Sequence, residues 1–270
     1  MRHKYLSILL VVLFALAAAC SPAPAAAPSP VSLTVFAAAS LTDAFTAIGG
    51  AFQADNPKMT VSFNFAGSNQ LAQQINQGAP VDVFASANAA QMTAAVEGGR
   101  IAAAAPQTFA RNRLVLIVPA GNPGGVASLQ DLGKPGLRLV LAAQAVPVGL
   151  YSLDFLEKAG QAAEYGPDYR DSVLNNVVSY EENVKAVLTK VVLGEADAGI
   201  VYTSDVAGAS ADQVDRLDIP DELNTLAAYP IAALNDGPNG AAAQAFVDFV
   251  LSSAGQDILA AYGFAPAASP

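Results

Sequence analysis

The sequence predicts an α/β protein built from two lobes. Short apolar stretches of strand length alternate with segments whose apolar residues recur every three or four positions, as in parallel sheets flanked by helices. After an N-terminal export signal, about 240 residues remain, more than one small domain needs. The pattern alone also fits a barrel of eight such units. Irregular connections at about 120–136 and 205–228 favour the two lobes.

Three strand-and-helix units follow the signal. Phe45, Ile48 and Phe52 recur at helical spacing, and further helices are predicted from Ser68 and over about 88–97. The predicted strands of this part are 33–38, 60–65 and 81–85.

A second set of units occupies the middle of the chain, and a returning strand with two helices closes it. The predicted strands are 113–119, 137–142, 176–179, 198–202 and 229–234. The predicted helices are 149–158, 183–193, 241–252 and 256–262.

Residues 1–20 have the composition of a secretory signal: cationic residues first, then an apolar run from Leu6 to Ala19. The run is shorter than the roughly 20 residues of a membrane span. Cys20, the only cysteine, resembles the lipidated first residue of a bacterial lipoprotein, although Ala17 stands where leucine is usual. Ordinary signal cleavage, which releases a soluble exported protein, is the alternative. The segment 21–31 is a Pro- and Ala-rich tether.

Without the signal, the chain lacks the residues that most common catalytic sites require. His3 is the only histidine, so the exported chain has no Ser-His-Asp or Cys-His arrangement and no His/Cys metal cluster. No phosphate-binding G-x-x-x-x-G-K-[ST] loop occurs. Beyond residue 20 there are 11 Lys and Arg against 23 Asp and Glu, a net charge of −12. That charge argues against nucleic acid as a partner.

Ser40 and Ser68 occupy equivalent places, each between a predicted strand and a predicted helix. Ser40 and Asp43 also fit a capping box, so an ordinary helix cap worth about 1 kcal/mol explains either serine alone. The same geometry permits a second interpretation, because helix N-termini bind anions and ligands of open α/β sheets bind at the carboxyl ends of strands.

Five segments in order resemble the periplasmic molybdate-binding proteins of molybdate ABC transporters. The resemblance extends from about Leu33 to Phe264, nearly the whole exported chain. The segments are VFAAASLTDAF, FNFAGSNQLAQQINQGAPVDVFASA, VPVGLYSLDFLEKAG, EENVKAVLTKVVLGEADAGIVYTSD and ILAAYGF.

The resemblance implies a site that holds a tetrahedral oxyanion with neutral hydrogen-bond donors. It assigns hydroxyl groups to Ser40, Ser68 and Tyr202, and backbone N–H groups to Val148 and Val184. Molybdate, or tungstate, is then the ligand, molybdenum has no direct protein ligand, and no cofactor is expected. Arg111, Arg113 and Lys185 are cations that could add attraction near the cleft, or ordinary solvated surface residues.

The resemblance also implies a type II periplasmic-binding-protein fold, with residues 32–114 plus 229–270 in lobe I and 115–228 in lobe II. Strands 113–119 and 229–234 would form the hinge. We expect an exported, lipid-anchored monomer that delivers its ligand to a membrane permease with a cytoplasmic ATPase.

Two departures and two alternatives accompany the resemblance. The family commonly has alanine at Val148 and an Asp/Asn-Pro pair at Gln144-Ala145, which leaves the conformation of that loop open. A receptor for sulfate or another tetrahedral oxyanion is the nearest alternative, since the sequence does not report cavity size. An enzyme on the same scaffold is the second alternative, disfavoured by the lack of histidine and cysteine nucleophile pairs.

Overall fold

Two sheets flanked by helices form the structure, a computed structural model that describes residues 30–207 and 210–267. The predicted signal (1–20), Cys20 and nearly all of the tether lie outside the described residues. Among the residues that are described, no helix is long and apolar enough to cross a membrane.

The first sheet has six strands in the order β11-β4-β10-β3-β1-β2. Strand β1 pairs in parallel with β2 and β3, whereas β10 and β11 pair antiparallel with their neighbours. The strands are β1 (Val31–Ala38), β2 (Met59–Ala66), β3 (Val83–Ala85), β4 (Gln107–Asn112), β10 (Ala227–Ala233) and β11 (Ala265–Pro266).

The second sheet has five strands in the order β7-β6-β8-β5-β9. Strand β6 pairs in parallel with β7 and β8, and β5 runs antiparallel to β8 and β9. The strands are β5 (Leu114–Pro119), β6 (Leu139–Ala142), β7 (Val177–Glu181), β8 (Ala198–Tyr202) and β9 (Val214–Asp218).

Most of the helices come after the parallel strands, and the last two come after the antiparallel strand β10. They are α1 (Thr42–Asp55), α2 (Ser68–Asn76), α3 (Ala89–Glu97), α4 (Pro147–Gln161), α5 (Tyr169–Asn175), α6 (Val184–Val192), α7 (Gly240–Leu251) and α8 (Ser253–Ala261). Aromatic rings fill the core of the first sheet, where Phe45 packs against Phe63, Phe109 and Phe246. Core residues of the second sheet include Leu116, Val140, Phe155, Leu188 and Ile200, all buried.

The predicted α/β class with two flanked sheets is confirmed, and the described residues form no barrel. The expectation of mostly parallel sheets is wrong, because both sheets are mixed: β1 and β6 form the parallel pairs, whereas β5 and β10 pair antiparallel with both of their neighbours. Four elements were not predicted: β4, β9, β11 and α5. Strand β9 lies within the connection predicted to be irregular and is the last strand of its sheet. Val214 is its only buried residue, and Asp215 and Arg216 are exposed. Charged residues on such an edge strand hide it from patterns based on apolar runs.

The chain passes between the two sheets at Arg113, between β4 and β5, and again at 219–226, between β9 and β10. Reciprocal hydrogen bonds join these crossings: the Leu114 N–H donates to Asn224 Oδ1 at 3.0 Å, and Asn224 Nδ2 donates to the Leu114 carbonyl at 2.9 Å. The lobe boundaries and the hinge strands stay predictions.

Candidate oxyanion site

All five residues that the resemblance singled out line one cavity. Its lining residues are Ala38, Ala39, Ser40, Ala66, Gly67, Ser68, Ala87, Val146, Pro147, Val148, Asn183, Val184 and Tyr202. The cavity is small: about 210 Å³ of space lies between these atoms, part of it open to solvent. This narrow space suits a small ion better than an organic ligand of drug size.

The cavity lies where the parallel strands of both sheets end. One wall follows β1, β2 and β3, whose last residues Ala38, Ala66 and Ala85 come together in the parallel register. The other wall follows β6, β7 and β8. Carboxyl ends of strands are the usual ligand sites of open α/β sheets, and here two such edges face one space.

Three helices begin at the cavity. Ser68 and Val184 are the first residues of α2 and α6, and Val148 is the second residue of α4. The N–H groups of a first helical turn have no intrahelical carbonyl to bind, and the helix dipole favours negative charge there. The backbone therefore supplies anion-binding groups from both sheets.

Gly149 explains how α4 reaches the cavity. A Cβ atom at this position would lie 2.2 Å from the Ala143 carbonyl oxygen and 2.4 Å from that of Ala142. Only glycine permits this approach of the helix to the end of β6. Pro147, the first helical residue, fits because the N–H that proline lacks would have had no helical partner.

The Ser68 hydroxyl has a fixed hydrogen-bond direction. Its oxygen accepts a hydrogen bond from the Ala87 N–H at 3.0 Å, and a backbone N–H can only donate. The hydroxyl hydrogen is thus left for another acceptor. The predicted capping role is wrong for this residue, because Gly67 occupies the N-cap and Ser68 is already helical.

Ser40 does not cap a helix either, which corrects the capping-box prediction. It lies in a 3-10 turn (Ala39–Leu41) that precedes α1, and the N-cap of α1 is Leu41, without a side-chain cap. The Ser40 hydroxyl instead forms a buried hydrogen bond of 2.9 Å with the hydroxyl of Tyr229 on β10. The Ser40 hydroxyl therefore contacts a residue distant in sequence and does not cap α1.

Tyr202 carries the most informative polar atom of the cavity. The residue ends β8 and is 1% exposed, and within the described part of the chain its hydroxyl has no hydrogen-bond partner. Burial raises the pKa of Tyr202 well above its ordinary value, so the phenol keeps its proton. A buried unpaired hydroxyl costs about 1–3 kcal/mol, and a ligand oxygen in the cavity would give it an acceptor.

No charged side chain is among the described residues that line the cavity. The three candidate cations are engaged elsewhere: Arg113 pairs with Asp221, and Arg111 Nε donates to the Ala267 carbonyl at 2.7 Å. Lys185 lies 2.9 Å from Asp43 and 3.4 Å from Asp205. Nor do the described residues contain a group of three or more His, Cys, Asp or Glu side chains placed to hold a metal ion.

Residues 33–265 match a protein family described as bacterial extracellular solute-binding protein. The chain belongs to this family. This membership, together with the two flanked sheets, confirms the predicted periplasmic-binding-protein class and its extracytoplasmic setting.

Similar proteins agree with the resemblance found in the sequence. The molybdate-binding protein ModA of Mycobacterium tuberculosis (strain ATCC 25618 / H37Rv) is 42% identical over 234 residues, which are 87% of this chain and 84% of the relative. A Bacillus subtilis (strain 168) protein, YvgL, provisionally named an ABC transporter substrate-binding lipoprotein, is 30% identical over 98% of this chain and 99% of its own.

A solved structure matches the fold. The periplasmic molybdate-binding protein of Azotobacter vinelandii has a TM-score of 0.74 at 20% identity, covering 88% of this chain and 99% of its own. Relatives of these kinds are named as binding proteins and not as enzymes, and the resemblance to molybdate-binding proteins of ABC transporters is confirmed.

Sequence reasoning missed several residues of the cavity. Gly67, Ala87 and Asn183 line it without belonging to the predicted set. Asn183 caps α6 by accepting the Ala186 N–H at 3.0 Å. The Asn-Val-Lys start of that helix carried a recognisable cap signal, whereas nothing in the sequence indicated that the Ala87 N–H holds Ser68.

Proposed function

We propose that this protein captures molybdate, and also tungstate, in the cavity between its two sheets and delivers it to the permease of an ABC transporter. The observation that carries the proposal is the buried Tyr202 hydroxyl, which lacks a hydrogen-bond partner among the described residues and belongs to a residue that lines the cavity. The name and 42% identity of the mycobacterial molybdate-binding relative support molybdate as the ligand.

A donor-only site suits a fully ionised oxyanion. Ser40, Ser68 and Tyr202 would supply hydroxyl groups, and Val148 and Val184 would supply N–H groups. Hydrogen bonds to charged groups contribute about 1.5–3 kcal/mol each, so five donors could together supply roughly 10 kcal/mol before ordering and desolvation costs. Neutral donors suffice because the ligand brings the charge, and the net charge of −12 on the exported chain (11 Lys and Arg against 23 Asp and Glu) is screened beyond about 8 Å at physiological salt.

The two predicted lobes would capture the ligand by closing on it. Residues 32–114 plus 229–270 and residues 115–228 would move about the crossings at Arg113 and 219–226, so that the two sets of donors close on one ion. No cofactor is required for this function, and catalysis is not part of it.

The test is calorimetric titration of the purified protein with molybdate, tungstate, sulfate and phosphate, repeated for Ser40→Ala and Ser68→Ala. We expect tight binding of molybdate and tungstate, much weaker binding of sulfate, and a clear loss of affinity in both variants. Ser252→Ala is the matched control, because its hydroxyl caps α8 through the Gly255 N–H, outside the cavity. Tight sulfate binding beside weak molybdate binding contradicts the ligand, and unchanged affinity in both serine variants contradicts the site.

We further propose that the protein acts as a monomer held at the membrane by a lipid on Cys20, with 21–31 as a tether. The sequence pattern around Cys20 and the similarity to YvgL along 98% of the chain support this placement. Expression of Cys20→Ala should move the protein from the membrane fraction to the soluble exported fraction. Equal membrane retention of both forms contradicts the anchor.

A further inference from the structure

Tyr229, which does not line the cavity, is placed to control what Ser40 offers to a ligand. The residue lies on β10 and is fully buried, and its hydroxyl lies 2.9 Å from Ser40 Oγ. Considered alone, this bond could have either hydroxyl as its donor. The other contact of the Tyr229 hydroxyl, with Asn112, indicates which hydroxyl donates.

Asn112, at the end of β4, is the second residue that contacts the Tyr229 hydroxyl. Its Oδ1 accepts the Arg113 N–H at 3.0 Å and the Thr203 hydroxyl at 2.9 Å. Because a backbone N–H can only donate, the amide oxygen must face it, and the amide nitrogen faces the other way.

The amide nitrogen of Asn112 then has two acceptors for its two hydrogens. It donates to Ser204 Oγ at 2.8 Å and to the Tyr229 hydroxyl oxygen at 3.4 Å. Because the Tyr229 oxygen accepts on this side, its own hydrogen is free to be donated to Ser40 Oγ, 2.9 Å away. In that arrangement the Ser40 oxygen is an acceptor, and its hydrogen remains for the cavity.

We propose that Tyr229 is a positioning residue for oxyanion binding, which fixes the Ser40 hydroxyl as a donor toward an unprotonated ligand oxygen. Asn112, Tyr229 and Ser40 form a directional chain of hydrogen bonds in a buried setting, where each donor polarises the next. This inference rests on the proposed oxyanion function and adds to it a residue outside the cavity.

Ser68 shows the same arrangement made with the backbone. Its hydroxyl oxygen accepts the Ala87 N–H, so its hydrogen is also left over. In this proposal both serine oxygens accept a hydrogen bond, so that both hydroxyl hydrogens are left for a ligand. The donor to Ser68 is a main-chain N–H, and the donor to Ser40 is the Tyr229 hydroxyl. Only the Ser40 arrangement can be removed by a side-chain substitution that leaves the serine in place.

A double-mutant cycle tests the proposal, with molybdate affinity measured by calorimetry for the wild type, Tyr229→Phe, Ser40→Ala and the double variant. If Tyr229 acts through Ser40, Tyr229→Phe should lower affinity about tenfold in the wild type and less than about twofold when Ser40 is already alanine. A merely structural role of Tyr229 would give the same fold-loss in both backgrounds.

Tyr169→Phe is the control, since it also removes a buried tyrosine hydroxyl bond, 2.5 Å to the Leu129 carbonyl, outside the cavity. It should leave affinity unchanged in both backgrounds, and thermal unfolding of each variant verifies that it folds. Equal losses in both backgrounds, or no loss with Tyr229→Phe, overturn the positioning role. A wild type that binds no oxyanion instead overturns the proposed function itself.

Discussion

At the scale of single residues, three hydroxyl groups belong to residues that line the cavity. Ser68 Oγ accepts the Ala87 N–H at 3.0 Å, so its hydrogen is left for another acceptor. Ser40 Oγ lies 2.9 Å from the Tyr229 hydroxyl, and the proposed direction of that bond leaves the Ser40 hydrogen for the cavity as well. The Tyr202 hydroxyl has no hydrogen-bond partner among the described residues, so a ligand oxygen could accept its hydrogen.

Tyr202→Phe should separate binding from stability. Removal of an unpaired buried hydroxyl should leave the thermal unfolding temperature of the ligand-free protein unchanged or raise it, because no hydrogen bond is lost. Molybdate affinity should fall about tenfold or more, since a hydrogen bond to a charged group contributes about 1.5–3 kcal/mol. Calorimetry and thermal unfolding measure the two effects.

The contrast for Tyr202→Phe is Tyr169→Phe, which breaks an existing buried hydrogen bond. That variant should lose stability by about 1 kcal/mol and keep its affinity. A Tyr202→Phe protein that is less stable and binds molybdate as tightly as the wild type would show that the hydroxyl has a structural partner instead.

At the scale of elements, the starts of α2 and α6 meet across the cavity. A Cβ atom at Gly67, the N-cap of α2, would lie 2.7 Å from the carbonyl oxygen of Glu182, just before α6. Gln70 Nε2 also donates to Glu182 Oε2 at 3.3 Å. The backbone of Gly67 has φ −60° and ψ 134°, which any residue adopts, so glycine is needed here for space and not for conformation.

Gly67→Ala should therefore weaken molybdate binding without straining the backbone. The added methyl group would lie 2.7 Å from both Asn69 Oδ1 and the Glu182 carbonyl oxygen. The Asn69 side chain can rotate away, but the Glu182 backbone must shift, and this separates the two sets of donors. We expect a loss of affinity of about tenfold or more by calorimetry, because positioned contacts are sensitive to such shifts.

Gly50→Ala is the matched control, since a Cβ at Gly50 in α1 meets nothing within 4 Å. It should raise stability by up to about 1 kcal/mol, because alanine favours a helix over glycine, and leave affinity unchanged. A Gly67→Ala protein with wild-type affinity would contradict a close approach in the ligand-bound state.

At the scale of the whole molecule, one ion cluster spans the two sheets. Lys185 of α6 contacts Asp43 of α1 at 2.9 Å and Asp205, after β8, at 3.4 Å. Asp205 is fully buried, and it also accepts the Tyr202 N–H at 3.1 Å. Burial raises the pKa of Asp205 to about 6, although Lys185 and the Tyr202 N–H act to lower it.

This raised pKa predicts a specific pH dependence of stability. Between pH 3.8, the ordinary value, and about 6, the folded protein holds a proton on Asp205 that the unfolded chain has released. The free energy of unfolding should thus fall as pH rises through this window. Each unit of pKa shift corresponds to about 1.4 kcal/mol, so the contribution is about 1–3 kcal/mol.

Denaturant unfolding of the wild type and Asp205→Asn at pH 4 and pH 7 measures the effect. The variant keeps an acceptor for the Tyr202 N–H and should lose less stability than the wild type as pH rises. Asp43→Asn, which removes the exposed partner of Lys185, should retain the wild-type fall. Parallel curves for wild type and Asp205→Asn would exclude a role for Asp205.

The sequence by itself determined much of this protein. Continuous apolar runs between helical segments located the buried strands β1, β3, β5, β6 and β8, because a strand covered on both faces is apolar throughout. The family resemblance carried by five ordered segments singled out Ser40, Ser68, Val148, Val184 and Tyr202, and in the structure all five line one cavity. The only histidine is His3, in the predicted signal, so the sequence beyond it has no His-based catalytic arrangement.

Only the tertiary structure decided what these residues contact. Ser40 follows the capping pattern of local sequence, yet its hydroxyl bonds Tyr229, 189 positions away. The Ala87 N–H that donates to Ser68 lies just after β3, and the Asn112 amide that contacts Tyr229 ends β4, so both are also distant in sequence from their partners. Local patterns report period and propensity, whereas the direction of a hydrogen bond depends on which distant donor the packed strands bring beside it.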